Sequence, residues 1–168
     1  CVVTLLAVNL CIAAKLFTIE YSAHTGSIES TFIAISRVMA KYPGEWNWWP
    51  LWNGGLPFEN AYLPLAQFLV STFSLLTGFS AARSFHIVMG AAYVAGALTL
   101  FWMALVLSRK LIASFVAALA YSCWSVTPLL SPAVALDTGG VLNLRRLYVL
   151  VFWGESPHTV ALALLPVS

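Results

Sequence analysis

Charge is what this sequence most lacks. Only 8% of its 168 residues are Asp, Glu, Lys or Arg, against about 25% in an ordinary soluble domain. With 61% hydrophobic residues beside so little charge, the chain falls in the membrane class. The net charge is only +2. The basic residues Lys15, Arg37, Lys41, Arg83, Arg109, Lys110, Arg145 and Arg146 form no stripe, which excludes nucleic acid as a partner. Cysteine is equally sparse: Cys1, Cys11 and Cys123 sit in apolar runs, with no zinc-ligand spacing. They read as small hydrophobes and carry no redox message. Also missing are a phosphate-cradling Gly loop, a nucleophile elbow and a dinucleotide fingerprint, so soluble cofactor chemistry has no support.

What is present is a series of apolar runs broken by polar ones. Residues 2–19 form the first, long enough for a membrane span of about 20 residues, with Lys15 able to reach the interface. No small-residue cleavage site follows it, and later apolar runs argue against a signal peptide. Residues 62–77 are apolar but short, and read either as a juxtamembrane helix or as a span. Residues 84–107 and 111–127 read as spans joined at Arg109-Lys110. Residues 128–158 read as a loop with a surface helix, and residues 159–168 as the start of another span. The chain begins at Cys1 without a Met and stops at Ser168 inside an apolar run. The expectation is one all-α, polytopic membrane domain over residues 1–168, as part of a longer protein.

Residues 20–61 differ from the rest. They hold four of the six acidic residues and four of the seven tryptophans. Within them Ile28, Phe32, Ile35, Met39 and Tyr42 recur at helical spacing, predicting a surface helix over 27–42 with Glu29 off the apolar stripe. Ser27 or Thr25 suits its N-cap. Trp46, Trp48, Trp49 and Trp52 suit the headgroup level. If Arg109-Lys110 is cytoplasmic and 62–77 does not span, all six acidic residues share the external side.

The stretch Trp49-Pro50-Leu51-Trp52-Asn53-Gly54-Gly55-Leu56-Pro57-Phe58, with Ala61-Tyr62-Leu63-Pro64-Leu65, resembles the first external loop of the 6-pyruvoyl-tetrahydropterin synthase-related membrane proteins. Arg146-Leu147-Tyr148, Gly154-Glu155-Ser156-Pro157-His158 and Ala161 to Pro166 resemble a later segment of that family. The family in turn is similar to GT-C-type membrane glycosyltransferases. The resemblance implies an external active site, a polyprenyl-phosphate sugar as partner beside the membrane lipids, and an acidic residue in the first external loop. It also places the chain in the plasma membrane of a prokaryote, crossing it several times. The paired acids usual in that loop are missing; Glu29 is the nearest match, with Glu20 and His24 upstream.

Each candidate has a chemical role and an ordinary one. Glu29 could be the base that deprotonates an acceptor or a ligand to a divalent metal ion; the ordinary role is a solvated carboxylate at a helix start. His24 could contact phosphate, or be a plain loop histidine. Arg145 and Arg146 could grip phosphate in a fork, or anchor headgroups. Glu155 and His158 flank Pro157 at the head of an apolar segment, where ionisable groups are costly and tend to serve function; the ordinary role is capping. Asp137 is a second, weaker metal candidate, set against a turn role in Asp-Thr-Gly-Gly. His86 could relay protons or simply be satisfied by a neighbouring helix. Two functions of other kinds stay open beside glycosyl transfer. One is a transporter or lipid flippase; the other is a non-catalytic scaffold.

Overall fold

In a computed structural model of the chain, the described residues are 1–22, 27–45, 47–49, 54–57, 64–140 and 143–167. They are overwhelmingly helical. Helix α1 (Val2–Ala13) runs on into a 3₁₀ turn (Ala14–Phe17). Then come α2 (Glu29–Lys41), α3 (Pro64–Thr77), α4 (Ala81–Ser108) and α5 (Leu111–Cys123). The last third is shorter-limbed: α6 (Thr127–Leu130), α7 (Pro132–Thr138), α8 (Arg145–Tyr148), a π-helical turn (Val149–Trp153), α9 (Ser156–Leu164) and a closing 3₁₀ turn (Leu165–Val167). Among the described residues the one extended pairing is a two-residue antiparallel ladder, β1 (Trp48–Trp49) on β2 (Leu56–Pro57), with Trp49 opposite Leu56. His24, Trp46, Trp52, and residues 50–53 and 58–63 of the stretch carrying the resemblance, lie outside the described residues.

Helix α4 is the axis of the fold and packs against α1, α2, α3, α5 and α9. Its start is capped by Ser80, whose Oγ accepts from the Arg83 amide at 3.1 Å, satisfying one of the free N–H groups of the first turn. It ends on Arg109, whose φ of 55° is left-handed. That conformation costs an L residue roughly 1–2 kcal/mol and reverses the chain into α5. At 28 residues and about 1.5 Å per residue, α4 exceeds the ~30 Å hydrocarbon core of a bilayer. Among the described residues it is the one helix long and apolar enough to cross a membrane. The apolar helices expected to span at the N-terminus, after Lys110 and beyond Pro157 are shorter, at 10–17 residues each.

The main core joins Phe32, Ile35 and Met39 of α2 to Val70 of α3, Phe85, Met89 and Tyr93 of α4, Leu150 and Val160. A smaller cluster of Leu5, Phe101 and Ala118 joins α1, α4 and α5. Beside it the buried Asn9 donates to the Leu5 carbonyl and to Ser122 Oγ, both at 2.9 Å, a polar tie between α1 and α5.

Helix α2 departs from the apolar stripe read in the sequence. Phe32, Ile35 and Met39 are buried, and so is Glu29, while Ile28 and Tyr42 are exposed. The reason lies at the helix ends. Ile28 and Tyr42 are the flanking cap positions, with ψ of 2° and 69°, so they leave the helical periodicity and swing outward. Glu29 then falls on the inner face with Phe32 and Ser36.

Candidate functional site

Two polar constellations flank the turn at Gly154. The first begins with α8. Its amide at Arg145 donates to Ser125 Oγ at 3.1 Å, tying α8 to the link after α5. Arg145 Nη1 donates to Thr138 Oγ1 at 3.3 Å and lies 4.0 Å from Asp137 Oδ2. Arg146 points the other way, into the helix bundle. Its Nη2 donates to the Tyr93 main-chain carbonyl at 3.0 Å. Its guanidinium is sandwiched between aromatic rings, 4.2 Å from the Tyr93 centroid and 3.9 Å from that of Tyr121, an arrangement that suits a delocalised planar cation. Gly96 makes room for it: a Cβ there would stand 3.2 Å from Arg146 Nη2. Arg146 Nη1 and the Tyr93 hydroxyl are buried with no hydrogen-bond partner among the described residues.

Arg145 and Arg146 line a cleft of about 490 Å³ together with Tyr93, Tyr121, Trp124, Glu155 and His158. The π-helical turn ends on Gly154 in the left-handed region (φ 76°), and Pro157 stands in the first turn of α9, where proline fits without losing a hydrogen bond. That sharp start presents Glu155 and His158 side by side, with His158 Nδ1 and Glu155 Oε2 at 2.7 Å. Such a carboxylate–imidazole pair can accept and return a proton. The opposite face of α8 and the π turn lines a second, largely apolar cleft of about 700 Å³, walled by Leu16, Ile19, Leu147, Val151 and Phe152, with Lys15 and Ser22 among its polar residues.

The second constellation lies on the other side of Gly154. Glu29 is buried at the first turn of α2. Ser22 Oγ donates to its Oε1 at 2.5 Å, and His86 Nε2 stands 3.5 Å from its Oε2. Burial raises the Glu29 pKa, but the neighbouring His86 and the Ser22 hydrogen bond outweigh it, holding the carboxyl below its usual value; His86 Nε2 itself stands just beyond hydrogen-bond distance. The Glu29 amide donates to Ser27 Oγ at 3.3 Å, and the Ile28 amide to the Trp153 carbonyl at 3.4 Å.

Of the site residues expected from sequence, Arg145, Arg146, Glu155 and His158 therefore meet around one cleft. Glu29 does not line it; the carboxylate faces Ser22 and His86 behind the Gly154 turn. Asp137 faces Arg145. His24 is outside the described residues. No group of three His, Cys, Asp or Glu side chains converges as a metal cage among the described residues. Sequence reasoning missed Tyr93 and Tyr121, and it did not pair His86 with Glu29. The available signal was an arginine inside an apolar segment, which needs partners from other helices. No family model, no curated protein and no solved structure matches the chain.

Proposed function

We propose that the chain is part of a multi-pass membrane protein, and that the Arg146 cleft receives the phosphate of a lipid-linked headgroup. The observation that carries this is Arg146 itself: a half-buried guanidinium that lines the cleft, held by two tyrosine rings and one carbonyl, with no carboxylate beside it among the described residues. A phosphate in the cleft would balance its charge. The membrane setting is supported by the length of α4 and by large apolar side chains turned outward on α4 and its neighbours, among them Val3, Leu107 and Ile112, each more than three-quarters exposed. Exposed apolar surface on this scale needs a cover.

The resemblance to GT-C-type enzymes suggests the chemistry: transfer of a sugar from a polyprenyl phosphate on the external face. The acceptor oxygen bonds to the anomeric carbon as that carbon's bond to the phosphate oxygen breaks. The electron pair leaves with the phosphate beside Arg146. The acceptor's proton passes to the Glu155–His158 pair, which lines the same cleft.

The test is thermal unfolding of the full-length protein in lipid nanodiscs with added polyprenyl monophosphate. Ligand at a hundred times its Kd stabilises a one-site protein by about 2.7 kcal/mol. Wild type is expected to show that rise and Arg146→Met to lose it. No rise in wild type would refute the phosphate assignment.

A further inference from the structure

The Glu29–His86 pair lies outside the cleft, yet it is joined to it through one glycine. The chemistry of the pair is set by the outer nitrogen of the imidazole. His86 Nδ1 lies 2.9 Å from the Ala82 carbonyl, and a carbonyl only accepts, so Nδ1 carries a hydrogen. The atom left to face Glu29 is Nε2. If both partners were deprotonated there, a nitrogen lone pair would face a carboxylate oxygen. The contact is attractive only with one further proton between them. The pair is buried, His86 at 2% and Glu29 at 7% exposure, so water does not replace that proton's role.

The consequence appears at Gly154. A Cβ on Gly154 would stand 2.7 Å from the Glu29 amide nitrogen, 2.7 Å from Ser27 Oγ and 3.0 Å from the Ile28 amide nitrogen. The first turn of α2 is thus pressed against the turn whose next residue is Glu155. The direct polar link is long, the single Ile28 amide to Trp153 carbonyl bond at 3.4 Å. Beside the packing of Phe32, the polar tie that holds α2 to α4 at this end is the contact from Glu29 to His86.

We infer that Glu29 and His86 form a one-proton clasp that docks the first turn of α2 on the Gly154 turn, making both of them positioning residues for Glu155 and His158. The clasp deepens the cleft assignment above and depends on it only for its consequence, since docking can be read without any ligand. Among the described residues His86 is the sole titratable side chain that meets Glu29. Glu155 directs its carboxylate at His158, and Glu20 is bonded to Ser80 Oγ at 2.6 Å. Ser22 and the Phe85 ring, which meets His86 edge-on, carry no charge.

The clasp distinguishes two substitutions that a merely structural contact would not. In Glu29→Gln the amide can donate to a neutral His86 Nε2 while its carbonyl accepts from Ser22, so the tie survives without a shared proton. In His86→Ala the carboxylate is left buried without its partner. The test places spin labels at Ser30→Cys and Trp153→Cys in full-length protein whose Cys1, Cys11 and Cys123 are replaced by Ser, and reads dipolar broadening in nanodiscs. At neutral pH, wild type and Glu29→Gln are expected to be equally broadened and His86→Ala to narrow. On acidification Glu29→Gln narrows first, because a second proton on His86 sets donor against donor, while wild type holds until Glu29 itself is protonated. Narrowing of Glu29→Gln at neutral pH, or an identical acid response in both, would overturn the clasp. A docked, acid-sensitive turn in a protein that fails to bind polyprenyl monophosphate would support the clasp and sink only the cleft assignment.

Discussion

Replacing Gly154 with alanine tests the junction on which both constellations depend. Two costs add at this position. The residue sits at φ 76°, where an L side chain pays roughly 1–2 kcal/mol. The new methyl also meets backbone nitrogens at 2.7 and 3.0 Å, and forcing a carbon into a packed site costs about 1–3 kcal/mol. The expected loss is therefore on the order of 2–5 kcal/mol. Gly78 supplies the control. Its φ is 72°, and a Cβ there meets nothing within 4 Å, so Gly78→Ala pays the backbone cost alone. The assay is equilibrium unfolding of the full-length variants in one detergent, with the Ser30–Trp153 broadening recorded on the same samples. Gly154→Ala is expected to lose more stability than Gly78→Ala and also to lose broadening, while Gly78→Ala keeps it. Equal losses in the two variants would show that the contact with α2 contributes nothing, and the coupling across Gly154 would fall with it.

Two further outcomes follow from the same geometry. Glu29 has a folded-state pKa below its ordinary value, so its contribution to stability is complete above the unfolded-state carboxylate pKa and disappears as pH falls through the folded one; acid unfolding of wild type should be steeper below about pH 4.3 than that of Glu29→Gln, and superimposable curves would refute the sign. Asn9→Leu removes the hydrogen bond to Ser122 and should cost about 0.6–1.7 kcal/mol if α1 and α5 meet in lipid; an unchanged midpoint in detergent unfolding would remove that tie from the account of the fold.

Much of the helical architecture could be read from the sequence because apolar length and proline placement act locally. The α4 stretch has no proline and one polar cap, so its extent follows from Ser80 and the Arg109-Lys110 break. The gathering of Arg145, Arg146, Glu155 and His158 was legible as well, because only a short segment, turned by Gly154 and Pro157, separates them. The position of Glu29 was not. Periodicity puts it off a stripe that runs through Ile28 and Tyr42, and both lie at the helix ends. Its burial depends on His86, 57 positions along the chain, and no local pattern encodes that meeting. Tyr93 and Tyr121 were equally hidden. In an apolar helix a tyrosine looks like any other large side chain until an arginine from another segment arrives between the rings.

The energetics of Arg146 give the cleft its direction. Tyr93, whose carbonyl it grips, lies near the midpoint of the 28-residue α4, so the guanidinium is held far from either end of that helix. On the membrane reading proposed above, a charged residue at the centre of a span costs about 2.5–3.5 kcal/mol on insertion scales. Each cation–π contact returns about 0.5–2 kcal/mol, and the hydrogen bond to Tyr93 adds to that. The rings and the carbonyl thus come close to carrying the charge without any acid, and among the described residues no carboxylate stands within ion-pair distance of Arg146. A structural arginine would be cheaper to bury beside a glutamate, as an internal pair. Here the acid of the cleft, Glu155, is spent on His158 instead. Among the described residues the cation is kept without a counter-ion, and its side chain lines the cleft that also holds Glu155 and His158. That imbalance is the physical ground for placing an anion from outside the chain at Arg146, and it makes Arg146→Met a sharper test of the assignment than any change at Glu29.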